Sequence, residues 1–240
     1  MAEVLPRGVA RFARLLSVAK RYHRHRTIGT EHVPIEGGVL VVLQHSFATY
    51  DGFLPALDIY EERGRIPAGL GDDLIFKVPG LGRLARSTHI YPASHGNAVK
   101  LLAAGRLVYV APGGMHEALR PSDEKHAIRW ANRKGFIRLS IRTGAPIVLG
   151  ACHGADDIFT VYRSRLTDLA YRRLKLPLAA VRGWGPTLMP RPVQLTHILA
   201  EPIYPPKLDE AEFDAQVQEH HAFVCDRMEA LLGELRRADC

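Results

Sequence analysis

The sequence predicts an α/β domain, a mixed and largely parallel sheet flanked by helices, with an amphipathic helix ahead of it. Three observations predict this. Short apolar, β-branched runs alternate with segments of helical periodicity. The runs are bounded by glycine, proline or polar residues, as buried strands of such sheets are. In addition, 240 residues with 47% hydrophobic and 24% charged residues are enough for one core under an ordinary soluble surface.

The elements follow in order. Within residues 1–26, Val9, Phe12, Leu16 and Ala19 recur at helical spacing, with Arg7, Arg11, Arg14, Lys20 and Arg21 largely off that stripe. A basic amphipathic helix of this kind either lies in a bilayer interface or packs on its own domain with a solvated basic face. Residues 27–240 form the main domain. Val39–Leu43, after Gly37-Gly38, reads as a buried strand, and Asp51–Glu62 as a helix weakened by Pro55. Ser94 and Asn97 open a helical pattern over Ala98–Ala104 that Gly105 closes. Leu107–Ala111 is a second buried strand, running into Pro112-Gly113-Gly114. A helix over Asn132–Thr143, strands at Pro146–Ala151 and Pro192–Leu199, and a long acidic helix over 209–237 complete the chain.

Composition excludes several classes. Charge-free stretches no longer than Gly37–Tyr50 and Thr143–Ala155 leave no transmembrane helix, which needs about 20 apolar residues. Arg7, Arg11 and Arg14 break any secretory h-region, and three scattered cysteines fit a reducing, cytoplasmic compartment. The net charge of +7 is uneven. Residues 1–26 hold seven Lys/Arg against Glu3, and residues 161–192 hold seven against Asp168, while 201–240 carry ten acids and four bases. A basic face meeting an anionic surface follows. Without a helix-turn-helix, zinc-finger or aromatic-basic signature, nucleic acid is not the expected partner.

Two turns lie where active sites of parallel sheets lie, beyond strand C-terminal ends. The first is Gln44-His45-Ser46-Phe47-Ala48-Thr49-Tyr50-Asp51. His45 and Asp51 suit a general base with a carboxylate that fixes its tautomer; equally, Asp51 caps a helix and His45 bonds locally. The second is Pro112-Gly113-Gly114-Met115-His116-Glu117-Ala118-Leu119, whose glycines either let a ligand approach the main chain or make a tight turn. Gly80-Leu81-Gly82-Arg83-Leu84-Ala85 lacks the acid a dinucleotide site needs. His116-Glu117 lacks a second zincin histidine and no CxxC occurs, so no metal is expected. Nor is there a G-x-S-x-G elbow. Cys152 reads as core, and His23, His25, His220 and His221 as solvated residues of charged helices.

Together and in this order, the two turns resemble the PlsC-type glycerolipid acyltransferases, and most closely the monoacylglycerol and diacylglycerol acyltransferase-like branch that acts on neutral lipids. The likeness spans residues 27 to 205 and includes Phe76–Gly80, Ser122-Asp123, Trp130, Arg133–Phe136, Val148 and Glu201-Pro202-Ile203. It implies a glycerol-3-phosphate acyltransferase-like fold. It also implies acyl transfer from acyl-CoA or acyl carrier protein to a glycerolipid-like hydroxyl, with His45 as base and Asp51 in support and no cofactor. Phe47, Tyr50, Gly113, Gly114, His116, Glu117, Arg129, Arg133 and Lys134 become candidate substrate contacts, and N–H groups near Gly113 and Gly114 candidate stabilisers of developing charge. Five residues separate His45 from Asp51, one more than the commonest family spacing. Where phosphate-acceptor members carry Pro-Glu-Gly-Thr-Arg, Gly113 replaces the Glu and His116 the Arg. Loss of that permanent charge favours an uncharged acceptor over a lysophospholipid. The basic run Arg163, Arg165, Arg172, Arg173 and Lys175 either meets coenzyme A phosphates or lipid headgroups or is a solvated face. Family membrane spans are missing, so the N-terminal helix becomes the expected anchor on anionic lipid at the inner face of the cell membrane. A non-catalytic lipid binder on the same scaffold is the remaining alternative.

Overall fold

The computed structural model describes residues 5–44, 46–47, 51–163 and 180–238, the side chains of Leu74 and Ala238 aside. In chain order the elements are α1 (Arg7–Tyr22), β1 (Arg26–Ile28), β2 (Val39–Leu43), α2 (Leu54–Arg63), β3 (Ala68–Gly71), α3 (Asp73–Lys77), α4 (Leu81–Ser87), β4 (Ile90–Pro92) and α5 (His95–Ala103). They continue with β5 (Leu107–Val110), α6 (Gly114–Ala118), α7 (Gly135–Thr143), β6 (Ile147–His153), β7 (Thr160–Tyr162), β8 (Ala180–Arg182), β9 (Thr196–Leu199) and α8 (Phe213–Ala238).

Seven strands form one sheet in the order β1-β9-β6-β2-β5-β3-β4. Every neighbouring pair is parallel except β6 with β9. The mixed, largely parallel sheet is therefore the predicted one. β2 sits in the middle, and all five of its residues are buried because both faces are covered. Val39, Val41 and Leu43 pack with Ile59 of α2 and Tyr109 of β5. Leu40 and Val42 face the other layer, where Phe136 and Ile137 of α7 meet Val217, Val224 and Met228 of α8. Trp130, 1% exposed, closes that layer edge-on to Phe136.

Local chemistry explains most boundaries. Ser94 accepts the Asn97 N–H and caps α5, as predicted. Asp51–Phe53 is a 3-10 turn, and α2 begins after it with Pro55 in its first turn, where the missing N–H does no harm. The predicted helix from Asn132 begins only at Gly135. The last helix starts at Phe213 rather than 209, because the Gln216 amide reaches back to the Lys207 carbonyl and the Asp209 carboxylate holds the Ala211 N–H.

Two predicted features fall differently. The apolar stripe of α1 covers its own domain: Phe12 meets Phe53 edge-on and Leu16 is buried. Arg7, Arg11, Arg14, Leu15, Val18 and Arg21 form the outward side of the helix. The histidines expected in solvent are buried instead: His23 is 1%, His220 8% and His221 9% exposed, and the His25 side chain is fully covered. For His23 and His25 the reason is topological. The chain leaves α1 directly into edge strand β1, which carries them under the segment preceding β9, where His23 Nδ1 lies 2.8 Å from the Val193 carbonyl. No helix among the described residues is long and apolar enough to cross a membrane.

Candidate active site

The C-terminal ends of β2, β5 and β6 lie at one edge of the sheet. Since β9 runs against β6, its first residues reach the same edge, and His197 stands opposite Cys152. The crevice beyond these ends is where ligands of such sheets bind.

Asp51 is 2% exposed there, and the Ser46 hydroxyl donates to its Oδ1. Burial pushes its carboxyl up to about 6; the Ser46 bond opposes this and the nearby Asp156 charge adds to it. Its Oδ2 lies 3.9 Å from Nε2 of His197, whose pKa burial and the neighbouring His25 hold well below the ordinary value. Ligand atoms of Asp51, Cys152 and His197 come within 4.8 Å of one another. Burial, then the charges of Asp51 and Asp156, raises the Cys152 thiol well above its usual range and keeps it protonated, a poor nucleophile and a poor ligand. Cys152 is core, as predicted.

The glycine-rich block is built around Glu117, which is wholly buried. Its Oε1 accepts the Arg129 N–H at 3.1 Å and lies 3.9 Å from Arg120 Nη1. Arg120 in turn donates to both Asp156 oxygens at 2.6 and 2.7 Å and to the Ala127 carbonyl at 2.9 Å. Gly113 is required for space: a Cβ there would lie 2.2 Å from Glu117 Oε2. Because Glu117 is packed on all sides, it cannot swing away. Gly113→Ala should therefore destabilise the protein by about 1–3 kcal/mol, measured by urea denaturation; a loss below roughly 0.5 kcal/mol would contradict this packing. Gly114 has φ +50°, and its N–H donates to the Ala111 carbonyl at 3.1 Å, so this predicted charge-stabilising group is already engaged in the turn.

The predicted residues divide accordingly. Phe47 lines one narrow cleft with Glu117, Ala118, Arg120 and Asp156, which joins the first turn to the glycine-rich block. Its ring meets Phe159 at 5.3 Å. The three basic candidates hold the protein's own groups. Arg133 donates to the carbonyls of Pro112, at 2.9 Å, and Gly113. Arg129 donates to Glu124 and, at 3.3 Å, to the carbonyl of exposed His116. Lys134 donates to Gln218 of α8. Arg163 pairs with Asp123 and Glu124. His45, Tyr50, Arg165, Arg172, Arg173 and Lys175 lie outside the described residues. Sequence reasoning missed His197, His25, Arg120 and Asp156. The available signal was a histidine beside Ile198-Leu199 within the predicted Pro192–Leu199 strand.

An apolar cavity of about 60 Å³ lies alongside, between α1, α2 and the sheet, lined by Val9, Phe12, Leu16, Phe53, Leu57, Ile90 and Tyr109. Phe12, Phe53 and Leu57 of its lining belong to one packed apolar cluster with Cys152 and Phe47. The Tyr109 hydroxyl is buried there without a hydrogen-bond partner among the described residues.

Comparison with known proteins bears on the family and the fold. Residues 74–238 match the family model described as diacylglycerol acyltransferase. The chain is 29% identical over 222 residues to a Bos taurus protein named as a DGAT1/2-independent enzyme synthesizing storage lipids, covering 90% of this chain and 64% of that one. The Homo sapiens protein of the same name is 27% identical over 222 residues, covering 90% of this chain and 65% of the relative. The chain thus spans somewhat less than two thirds of these curated relatives. An uncharacterised Mycobacterium tuberculosis protein is 29% identical over 197 residues, covering 77% of this chain and 53% of its own. Among solved structures, the Thermotoga maritima 1-acyl-sn-glycerophosphate acyltransferase PlsC superposes with a TM-score of 0.52 at 17% identity, covering 88% of this chain and 75% of that chain. This likeness establishes the fold.

Proposed function

Since the chain belongs to the diacylglycerol acyltransferase family, we propose that it moves a fatty acyl group from acyl-CoA or acyl carrier protein to a hydroxyl of a glycerolipid-like acceptor. The observation that carries this reading is Asp51, a buried carboxyl in the turn after the central strand, at the edge shared with the Gly113–Glu117 block and two residues before Phe53, which lines an apolar cavity.

The chemistry follows from these groups. His45 takes the acceptor's hydroxyl proton as the oxygen attacks the thioester carbonyl, and Asp51 orients the ring and stabilises the imidazolium. The tetrahedral intermediate collapses with loss of the thiolate, which recovers the proton from His45. No covalent enzyme intermediate forms. The cavity beside Phe53 supports an apolar chain as the transferred group. An uncharged acceptor is favoured because Arg129 and Arg133 donate to the protein's own carbonyls and Glu124 rather than presenting a free fork to phosphate. The outward side of α1, with Arg11, Arg14, Leu15 and Val18, together with exposed Leu81, Arg83 and Leu84 of the adjoining α4, supports peripheral contact with anionic lipid at the inner face of the cell membrane.

The test measures thiol release by purified protein on anionic vesicles with acyl-CoA or acyl carrier protein as donor. Monoacylglycerol, diacylglycerol and lysophosphatidate serve as acceptors. A neutral acceptor should exceed lysophosphatidate by roughly tenfold in kcat/KM. The reverse order would establish a lysophospholipid acyltransferase, and vesicle binding without thiol release for any acceptor would establish a lipid-binding protein.

A further inference from the structure

Behind Asp51 runs a line of buried polar groups that the acyl-transfer chemistry does not use. His197 Nε2 faces Asp51 Oδ2 at 3.9 Å, and His197 Nδ1 lies 2.9 Å from His25 Nε2. His25 Nδ1, otherwise without a partner among the described residues, faces Asp58 Oδ2 at 3.4 Å. Asp58 completes the line: Lys20 of α1 donates to its Oδ1 and the Thr27 hydroxyl to its Oδ2 at 2.6 Å. The His197 and His25 side chains are 3% and 0% exposed. We propose that Asp51, His197, His25 and Asp58 form one hydrogen-bonded chain that carries a single shared proton and, by moving it, sets the charge of Asp51. The inference rests on the reading of Asp51 as the carboxylate partner of His45.

Counting protons leads to it. Four groups meet at three contacts, and each contact needs one proton to be a hydrogen bond rather than a clash of lone pairs. Two neutral imidazoles supply two, so a third proton belongs to the chain. Asp58, with Lys20 and Thr27 donating to it, acts as acceptor and draws N–H from His25 Nδ1. That leaves His25 Nε2 to accept from His197 Nδ1–H, and turns the His197 Nε2 lone pair towards Asp51. The third proton therefore sits on Asp51 Oδ2, while Oδ1 accepts from Ser46. The electrostatics agree: burial drives the Asp51 carboxyl up to about 6, and burial drives His25 down to about 4 and His197 well down. The long contacts of 3.9 and 3.4 Å close with movements of roughly 1 Å or less, as such bonds tighten in working complexes.

Moving the proton is a concerted switch. Asp51 Oδ2 gives its proton to His197 Nε2, His197 Nδ1 gives its own to His25 Nε2, and His25 Nδ1 gives its own to Asp58 Oδ2. Asp51 becomes a carboxylate that accepts from His197 Nε2–H, ready to support a cationic His45. The proton emerges beside Lys20 and the exposed Glu61 at the α1–α2 junction, where the chain exchanges it with solvent, and loss of it there as pH rises makes the switch pH-dependent. Other groups facing the chain are Ser46, Cys152 and Asp156 around Asp51, and His23 and Lys20 around His25. His197, His25 and Asp58 are thus positioning residues.

The test reads the His197 tautomer by nitrogen-15 NMR of histidine-labelled protein, assigned with His197→Gln, alongside the pH profile of kcat/KM. In the wild type, His197 should be the Nδ1–H tautomer at pH 5 and change to Nε2–H over the same pH range as the acid limb of the profile. Asp58→Asn turns an N–H towards His25, reverses both tautomers and favours ionised Asp51, so the acid limb should move down by about one pH unit. A His197 that is imidazolium at pH 5, or whose tautomer stays fixed while the enzyme titrates, overturns the chain. So does an Asp58→Asn profile that changes in height alone. Tautomer switching in a protein without acyl transfer would instead overturn the proposed function and leave the chain standing.

Discussion

Purified His45→Ala should transfer acyl groups about 10²–10⁴-fold more slowly than the wild type, the usual worth of a positioned general base. An unassisted alcohol is a poor nucleophile towards a thioester, and nothing else identified at this edge of the sheet takes its proton: Cys152 stays protonated, and the two ring nitrogens of His197 are turned to Asp51 and His25. Asp51→Asn should also lose activity, because an amide cannot stabilise the imidazolium. Its stability should change in the opposite sense. Asp51 binds its proton more tightly in the folded protein, with a value of about 6 against 3.8 as the ordinary one. Folding stability therefore falls as pH rises between those values, and above about 6 the full penalty of the buried charge is present. Asp51→Asn should accordingly be more stable than the wild type at pH 8, by on the order of 1–3 kcal/mol, and show little gain near pH 3. Thermal unfolding at the two pH values checks this. Near-wild-type turnover by His45→Ala would remove the proposed mechanism, and equal destabilisation of Asp51→Asn at both pH values would show that its carboxyl is not a strained buried acid.

Arg120→Met should be the most destabilising of these substitutions, by about 3–5 kcal/mol. The guanidinium is 2% exposed and lies between wholly buried Glu117 and Asp156, whose side chain is 12% exposed. Methionine fills much of the volume and satisfies neither acid, so two carboxylates are left close together in a poorly solvated site. It also frees the Ala127 carbonyl, which Arg120 holds. The fall should appear as a lower urea midpoint at an unchanged denaturant slope. A loss under about 1 kcal/mol would mean that water replaces the guanidinium and that this cluster does not hold the glycine-rich block.

Much of this molecule can be read locally. Val39–Leu43 and Leu107–Val110 announce themselves because a strand buried on both faces must be apolar at every position. Asp51 and Gly113 stand out because they lie in the polar or glycine-rich turns that follow such strands. Strands β1, β3, β4, β7 and β8, of three or four residues each, carry too few positions to show a period, and their pairing comes from neighbours distant in sequence. The histidines were misplaced for a related reason. His23 and His25 border a run of arginines and so look solvated, yet the turn out of α1 directs them beneath the segment before β9.

The amino-acid order alone determined the alternation of elements, the core strands and the two turns beyond their C-terminal ends, since each rests on spacing within a few residues. Tertiary structure decided which way the last strand runs. Antiparallel pairing of β9 with β6 sets His197 across from Cys152 and within reach of Asp51. It also decided which cations hold the protein's own carbonyls and carboxylates. Such partners lie tens of residues apart, and only packing brings them to hydrogen-bonding distance, where burial makes their charge matter.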